Sequence, residues 1–272
     1  MSNLSISRAW DEAKHVLAHD GKLITSVALA LIVLPQTVSG VIAPPATLSG
    51  ANPPNWMPFV AILVAILGIT GQVAVARLAL GPSTSVGESI QHGFRRVVPA
   101  FLALLVLFLA LVVVLLPIML AMAGPEGLKS VTTETPTPAA AGALLLVVFL
   151  CLLAAPRFQL VVPTAAAEEG GPIRLLQRSW RMTEGSYLKL LGFLALVLIA
   201  AVVVLFTGQI IVGLVAKAMF GTVHPYSLGA LLAGLLTAMI SAAFAAVSTV
   251  ILARIYVQLA GRGGASVPSS GT

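Results

Sequence analysis

The sequence predicts an all-α polytopic membrane protein, a helical bundle with about six transmembrane helices in three hairpins. Three observations support this fold class. Of the 272 residues, 58% are hydrophobic and only 9% are charged, whereas a soluble domain carries about 25% charged residues. Apolar segments of spanning length recur along the chain. The basic residues are concentrated in alternate connecting segments, as expected of a chain that crosses a bilayer repeatedly.

Six apolar segments are long enough to cross a hydrocarbon core, which takes about 20 residues of helix. The predicted spans are residues 23–42, 57–80, 98–123, 139–162, 188–216 and 228–256. The loops within each predicted hairpin are short, nearly uncharged, and rich in Pro, Gly and Thr. The segments between hairpins are polar and basic.

The distribution of Lys and Arg predicts the orientation. Only Lys129 and Lys217 of the fifteen basic residues lie in or beside the uncharged loops. The others lie on the opposite predicted side: Arg8, Lys14, Lys22, Arg77, Arg95, Arg96, Arg157, Arg174, Arg178, Arg181, Lys189, Arg254 and Arg262. Basic residues favour the cytoplasmic side of a membrane. We therefore expect that side, with both ends of the chain, to be cytoplasmic.

Amphipathic segments precede the three odd-numbered spans: ISRAWDEAKHVL, VGESIQHGFRRVV and PIRLLQRSWRMTEGSYLKLL. Each is expected to form an interfacial helix. The chain thus predicts one membrane domain, residues 1–262, with possible parallel repeats over 1–80, 81–162 and 163–260, and a disordered tail, 263–272. The alternative to true repetition is that positive-inside loops place arginine at the inner end of many spans.

The segment Gly170–Leu190 carries the strongest candidate site. Pro172 suits the first turn of a helix and Gly185 suits its end. Ile173, Leu176 and Trp180 share one predicted apolar face, and Arg174, Arg178 and Arg181 share an adjacent one. Such a helix lies flat on a membrane, where guanidinium groups contact lipid phosphates. The sequence predicts a lipid-binding site of Arg174, Arg178, Arg181 and Trp180. The alternatives are a protein-partner site or a simple topology anchor.

The phrase PIRLLQRSWRMTEGSYLKLLGFLALVLIA resembles the loop-to-helix segment of the bacterial glycerophosphoryl diester phosphodiesterase membrane-domain family. The matching positions are Arg178, Ser179, Trp180, Met182, Thr183 and Gly185, and RFQLVVPTAAAEEGG resembles the family's run-in. Some members fuse this membrane region to a soluble barrel that carries the metal ligands and catalytic histidine. The 272 residues contain no counterpart of that barrel. The resemblance therefore implies a membrane module in a bacterial inner membrane, without the enzymatic activity.

Small residues recur every four positions in the last predicted span: Ala230, Gly234, Ala238, Ala242 and Ala246. A stripe of this kind lets neighbouring helices approach closely. It predicts a helix-packing surface, either inside the bundle or between two copies of the chain.

No catalytic constellation, cofactor motif or metal site is predicted. Asp11, His15 and His19 share a helical face, but no further ligand lies near them in sequence. The positive charge is explained by orientation and by anionic lipids, so no nucleic-acid partner is expected.

Three functions are compatible with these features. The first is a non-catalytic module that organises the membrane or binds lipid headgroups or a membrane-protein partner. The second is a transporter or flippase-like protein for a lipid or amphiphile, which predicts a cavity lined by Gln72, Gln159 and Gln209. The third, a lipid enzyme, lacks a general acid–base pair at a common depth.

Overall fold

The computed structural model describes residues 4–50, 54–81, 85–130 and 137–264, and all regular secondary structure within them is helical. Six helices in this part of the chain are long and apolar enough to span a membrane, which confirms the predicted fold class. The helices are α1 (Ile6–Ala28), α2 (Leu34–Ile42), α3 (Ala46–Ser49), α4 (Met57–Leu80), α5 (Val86–Ser130), α6 (Pro138–Phe158), α7 (Val161–Ala167), α8 (Pro172–Thr183), α9 (Tyr187–Ala201), α10 (Thr207–Phe220) and α11 (Leu228–Gly264).

Two of the spans are built from helix pairs that run on without interruption. A π-helical turn at Leu29–Val33 joins α1 to α2, and these form the first span, Ile6–Ile42. A second π turn at Val202–Phe206 joins α9 to α10 in the fifth span, Tyr187–Phe220. The second span is α4, and the fourth, Pro138–Ala167, comprises α6 and α7. The third and sixth spans, Val86–Pro125 and Leu228–Gly261, are parts of α5 and α11. The backbone of α5 is kinked at Gly124, where φ is 67° and ψ is 176°.

The interfacial segments differ from one another in how they join their spans. The first and second are continuous with the spans that follow, so these helices begin at Ile6 and Val86 rather than at the predicted residues 23 and 98. No residue between them and the apolar segment ends the helix, although Pro99 removes one backbone donor near the start of the third span. The third segment forms a separate helix, α8. Gly185, with a φ of 77°, lies in the turn that follows it, a conformation that glycine adopts most readily.

Many of the buried side chains lie at one end of the bundle, which we call the basic end. It comprises the start of α1, the end of α4, the start of α5, α7, α8, the start of α9 and the end of α11. Large side chains including Val75, Leu160, Leu190 and Ile255 are completely buried there. Elsewhere the spans carry exposed apolar side chains such as Phe108, as expected where lipid is the solvent.

The small-residue stripe of α11 packs against the first span. Its four alanines are buried, and Gly234 lies against Gly40 of α2. A Cβ atom added at Gly40 would lie 3.1 Å from Gly234 Cα, and one added at Gly234 would lie 3.3 Å from the Thr37 carbonyl oxygen. In this structure the stripe therefore serves contact between two helices of the same chain.

The proposed division into repeats stays a prediction. The predicted tail, 263–272, falls almost entirely outside the described residues.

Candidate functional site

The helix α8 is amphipathic, and its predicted apolar face is only partly covered by the bundle. Leu175, Ser179 and Met182 are buried. Ile173 and Trp180, on the predicted apolar face, are 62% and 45% exposed. At a membrane surface this exposed apolar face is available to lipid. The helix thus has one side on the protein, and Ile173 and part of Trp180 on its apolar side stay uncovered.

The three arginines of the predicted site have two different environments. Arg174 and Arg181 are exposed, and neither forms an ion pair within the described part of the chain. Arg178 is half-buried, and its Nε donates to Glu168 Oε1 at 2.8 Å. Residues seven positions apart lie about 10 Å apart along a helix. Arg174 and Arg181 therefore lie on one side of α8, about two helical turns apart.

Glu168 joins α8 to the last span. Its Oε1 accepts from Arg178 Nε and also from the hydroxyl of Tyr256 in α11, again at 2.8 Å. Sequence reasoning did not select Glu168 or Tyr256, because they lie 88 positions apart and no local pattern relates them. Through this shared oxygen, Arg178 holds α8 to the bundle.

Trp180 packs against the end of the fourth span. The Arg157 guanidinium carbon lies 4.7 Å from the Trp180 ring centroid, and the Phe158 and Trp180 ring centroids are 5.7 Å apart. The Ser179 hydroxyl donates to the Arg157 carbonyl oxygen at 2.8 Å. Cation–π contact and ring packing thus fix the orientation of Trp180, although it keeps an exposed edge.

The segment between α7 and α8 is also attached to the third span. Arg96 of α5 forms an ion pair with Glu169, and the His92 Nε2–H donates to the Ala166 carbonyl oxygen at 3.0 Å. Both neighbouring glutamates are therefore engaged by arginine. These contacts fix α8 and the segment before it on the bundle, with Arg174 and Arg181 at the surface.

The residues considered for metal binding do not assemble a ligand set within the described ranges. Asp11 forms an ion pair with Lys14 at 2.8 Å. No group of three His, Cys, Asp or Glu residues able to hold a metal occurs in that part of the chain.

The three glutamines proposed to line a transport cavity lie in different places. Gln209 lines a depression with Lys217, toward the end of the bundle opposite the basic end, and neither Gln72 nor Gln159 lines it. Gln159 follows α6 at the basic end, where its Oε1 is buried without a hydrogen-bond partner among the described residues.

A family model described as "Domain of unknown function (DUF7847)" matches residues 4–259. Because the match covers most of the 272 residues, the chain belongs to this family. No curated protein and no solved structure matches the chain.

Proposed function

We propose that this member of the DUF7847 family is a non-catalytic protein of a bacterial cytoplasmic (inner) membrane that binds anionic phospholipid headgroups through α8. The observation that carries this function is the pair of exposed guanidinium groups on Arg174 and Arg181, which lie beside the exposed Ile173 and Trp180. Guanidinium groups bind phosphate oxygens, and an aromatic side chain is favoured at headgroup level.

The contacts that fix α8 on the bundle support a role in binding lipid headgroups. Arg178 and Trp180 hold the helix to the bundle through Glu168 and Arg157. The two remaining arginines are thereby presented from a rigid element, which lowers the entropy lost when a lipid is bound. Of the four residues first predicted as one site, we assign headgroup contact to Arg174 and Arg181 and a positioning role to Arg178. Trp180 serves both purposes.

The membrane and its orientation are part of the same proposal. The asymmetry of Lys and Arg supports a cytoplasmic basic end, with both ends of the chain on that side. The resemblance of the α8 segment to the glycerophosphoryl diester phosphodiesterase membrane-domain family supports a bacterial inner membrane. In that setting the protein contributes to membrane organisation, or to the assembly of a membrane-protein partner on a lipid-bound surface.

The alternative function, a lipid transporter or flippase, has less support. It calls for a shared cavity lined by Gln72, Gln159 and Gln209, and the depression that Gln209 lines does not include the other two. The engagement of Glu168 and Glu169 by arginines also favours a structural role for these carboxylates over acid–base chemistry.

The test compares the Arg174→Ala/Arg181→Ala variant with wild type by native mass spectrometry. The purified protein is titrated with phosphatidylglycerol and with phosphatidylcholine of the same acyl chains. Each basic residue near an anionic surface contributes about 1 kcal/mol, so affinity for phosphatidylglycerol is expected to fall about fivefold per arginine. The matched control is Lys14→Ala/Lys22→Ala, which removes the same charge from the exposed surface of α1. Equal binding by the two double variants would refute the assignment.

A further inference from the structure

A long apolar groove lies between the start of α1, the fifth span and the sixth span. Its volume is about 850 Å³, within the range of about 300–1,000 Å³ that is typical of ligand sites. Residues from all three elements line it, including Trp10, Phe193, Leu196, Val204, Ile240 and Ile251. Apart from the indole of Trp10 and the hydroxyls of Ser7 and Ser248, the lining side chains are apolar.

The length and position of the groove match one leaflet of a bilayer. The lining runs from Phe193 to Val204 on the fifth span and from Ile240 to Ile251 on the sixth. Each run covers about 16 Å along a helix. The hydrocarbon core of a bilayer is about 30 Å thick. The groove therefore extends from the basic end to near the middle of the membrane, the depth of a single acyl chain.

A cation lies at the end of the groove nearest the membrane surface. Lys189 precedes Phe193 by one helical turn, so both lie on the same face of α9. Its Nζ donates to the Leu4 carbonyl oxygen at 3.1 Å, close to the start of α1. An ammonium group has three N–H donors, and two remain after this contact. Lys189 is therefore held in position with capacity to bind an anion.

Two further donors continue the groove-lining stripe of α11. Arg254 and Gln258 follow Ile251 by three and seven residues, which keeps them on its helical face. The Ser5 backbone N–H donates to Gln258 Oε1 at 3.2 Å, which places Gln258 beside the start of α1. Arg254 Nε and Gln258 Nε2 are buried, and neither has a hydrogen-bond partner among the described residues. Buried donors in proteins are nearly always paired, so a ligand acceptor that reached these two donors would satisfy them.

We propose that the groove holds one acyl chain of an anionic phospholipid from the leaflet at the basic end, and that Lys189, Arg254 and Gln258 bind its phosphate. The apolar length fits a hydrocarbon chain, and the two cations fit an anionic headgroup. One phospholipid supplies both. This site is separate from α8 and goes beyond the function proposed above, since Arg174 and Arg181 take no part in it.

The acyl-chain contact is tested by filling the groove. Ala243 lines it, and Ala243→Trp places an indole where the chain lies. The control is Ala110→Trp, at an exposed alanine of the third span outside the groove. Wild type and the control are expected to retain a tightly bound phospholipid in native mass spectra after detergent exchange, and Ala243→Trp is expected to lose it. Equal retention by both variants would overturn the proposal.

The headgroup contact is tested with Lys189→Gln/Arg254→Gln. Glutamine at residue 189 keeps a donor for the Leu4 carbonyl but removes the charge. The preference of this site for phosphatidylglycerol over phosphatidylcholine is expected to fall about fivefold per charge. The control, Lys14→Gln/Lys22→Gln, makes the same change in net charge. An unchanged preference in the first variant would overturn the assignment of these cations.

A measurement on the wild-type chain does not depend on how the variants fold. Phosphatidylglycerol with a photoactivatable group in its acyl chain is cross-linked to the protein in vesicles. Cross-links are expected to be enriched in residues 193–204 and 240–251 relative to the exposed third span. Uniform labelling would overturn the proposal, as would a protein dimer whose interface covers the groove. If the α8 double variant loses lipid while Ala243→Trp retains it, the proposed function stands and the groove site fails. If Ala243→Trp loses lipid while the α8 double variant retains it, the groove site stands and the proposed function fails.

Discussion

The hydroxyl of Tyr256, near the end of the last span, donates a 2.8 Å hydrogen bond to Glu168 Oε1, which also accepts from Arg178 Nε. One carboxylate oxygen thus connects α11, the segment after α7 and the arginine-bearing helix α8. All three groups are at least partly withdrawn from solvent. The position of α8 on the bundle therefore depends on a contact far from α8 in sequence.

Removing this hydroxyl is expected to destabilise the protein. Tyr256→Phe leaves the ring in place and deletes a hydrogen bond to a charged acceptor, a change that costs about 1.5–3 kcal/mol. The measurement is the thermal unfolding transition in detergent, which should move to lower temperature. The control is Tyr187→Phe, which deletes a bond from an exposed hydroxyl to the neutral Leu153 carbonyl. If Tyr187→Phe lost as much stability as Tyr256→Phe, the hydrogen bond to the charged Glu168 would be no stronger than one to a neutral carbonyl.

The shared acceptor also predicts energetic coupling. Arg178→Ala and Tyr256→Phe each remove one donor from the same oxygen, so their effects on the free energy of unfolding should differ from additivity by at least about 0.5 kcal/mol. The control cycle pairs Tyr256→Phe with Arg96→Ala. Arg96 contacts the neighbouring Glu169 instead, and this pair should be closer to additive. Strict additivity in the first cycle would show that the two donors act independently.

The transmembrane architecture was largely predictable because a spanning helix needs a long apolar segment that composition alone reveals. The residues at which the helices of the first and third spans begin were not predictable from composition. Hydropathy falls at the membrane surface, whereas the helices at Ile6 and Val86 begin beyond it. Hydropathy locates the bilayer, whereas a residue that favours a non-helical backbone conformation marks the end of a helix. Gly185 does this for α8 and was predicted.

The position of helix α8 was predictable, but which of its residues contact the bundle was not. In a soluble protein the apolar face of α8 would be its buried face. In a membrane protein lipid also attracts apolar side chains, so Ile173 is exposed while Ser179 is buried and bonded to the Arg157 carbonyl. Hydrophobicity therefore does not separate the protein side from the lipid side. The Glu168–Tyr256 contact could not be predicted from the sequence, because the two residues lie 88 positions apart.

The close approach of α4 and α5 at the basic end gives a third prediction. A Cβ atom at Gly93 would lie 2.7 Å from the Thr70 carbonyl oxygen, a backbone atom that cannot move alone. Gly93→Ala should therefore separate the helices and cost about 1–3 kcal/mol in unfolding free energy. Gly87→Ala in the same helix is the control, since no atom lies within 4 Å of the added carbon. Equal unfolding temperatures for the two variants would show that the contact is looser than the structure indicates.

Cysteine labelling tests the orientation of the bundle. In a Cys151→Ala background, Asn55→Cys places a thiol on an exposed residue before the second span, and Gln177→Cys places one on the exposed surface of α8. The positive-inside asymmetry predicts that α8 lies on the cytoplasmic side. A membrane-impermeant maleimide added to spheroplasts, whose inner membrane is intact, should label only the thiol at residue 55, and residue 177 should react after the membrane is opened. Thr135→Cys, outside the described residues, should behave like Asn55→Cys because the predicted loop is on the same side. Labelling of residue 177 alone before lysis would invert the topology and place the arginines of α8 against the opposite leaflet.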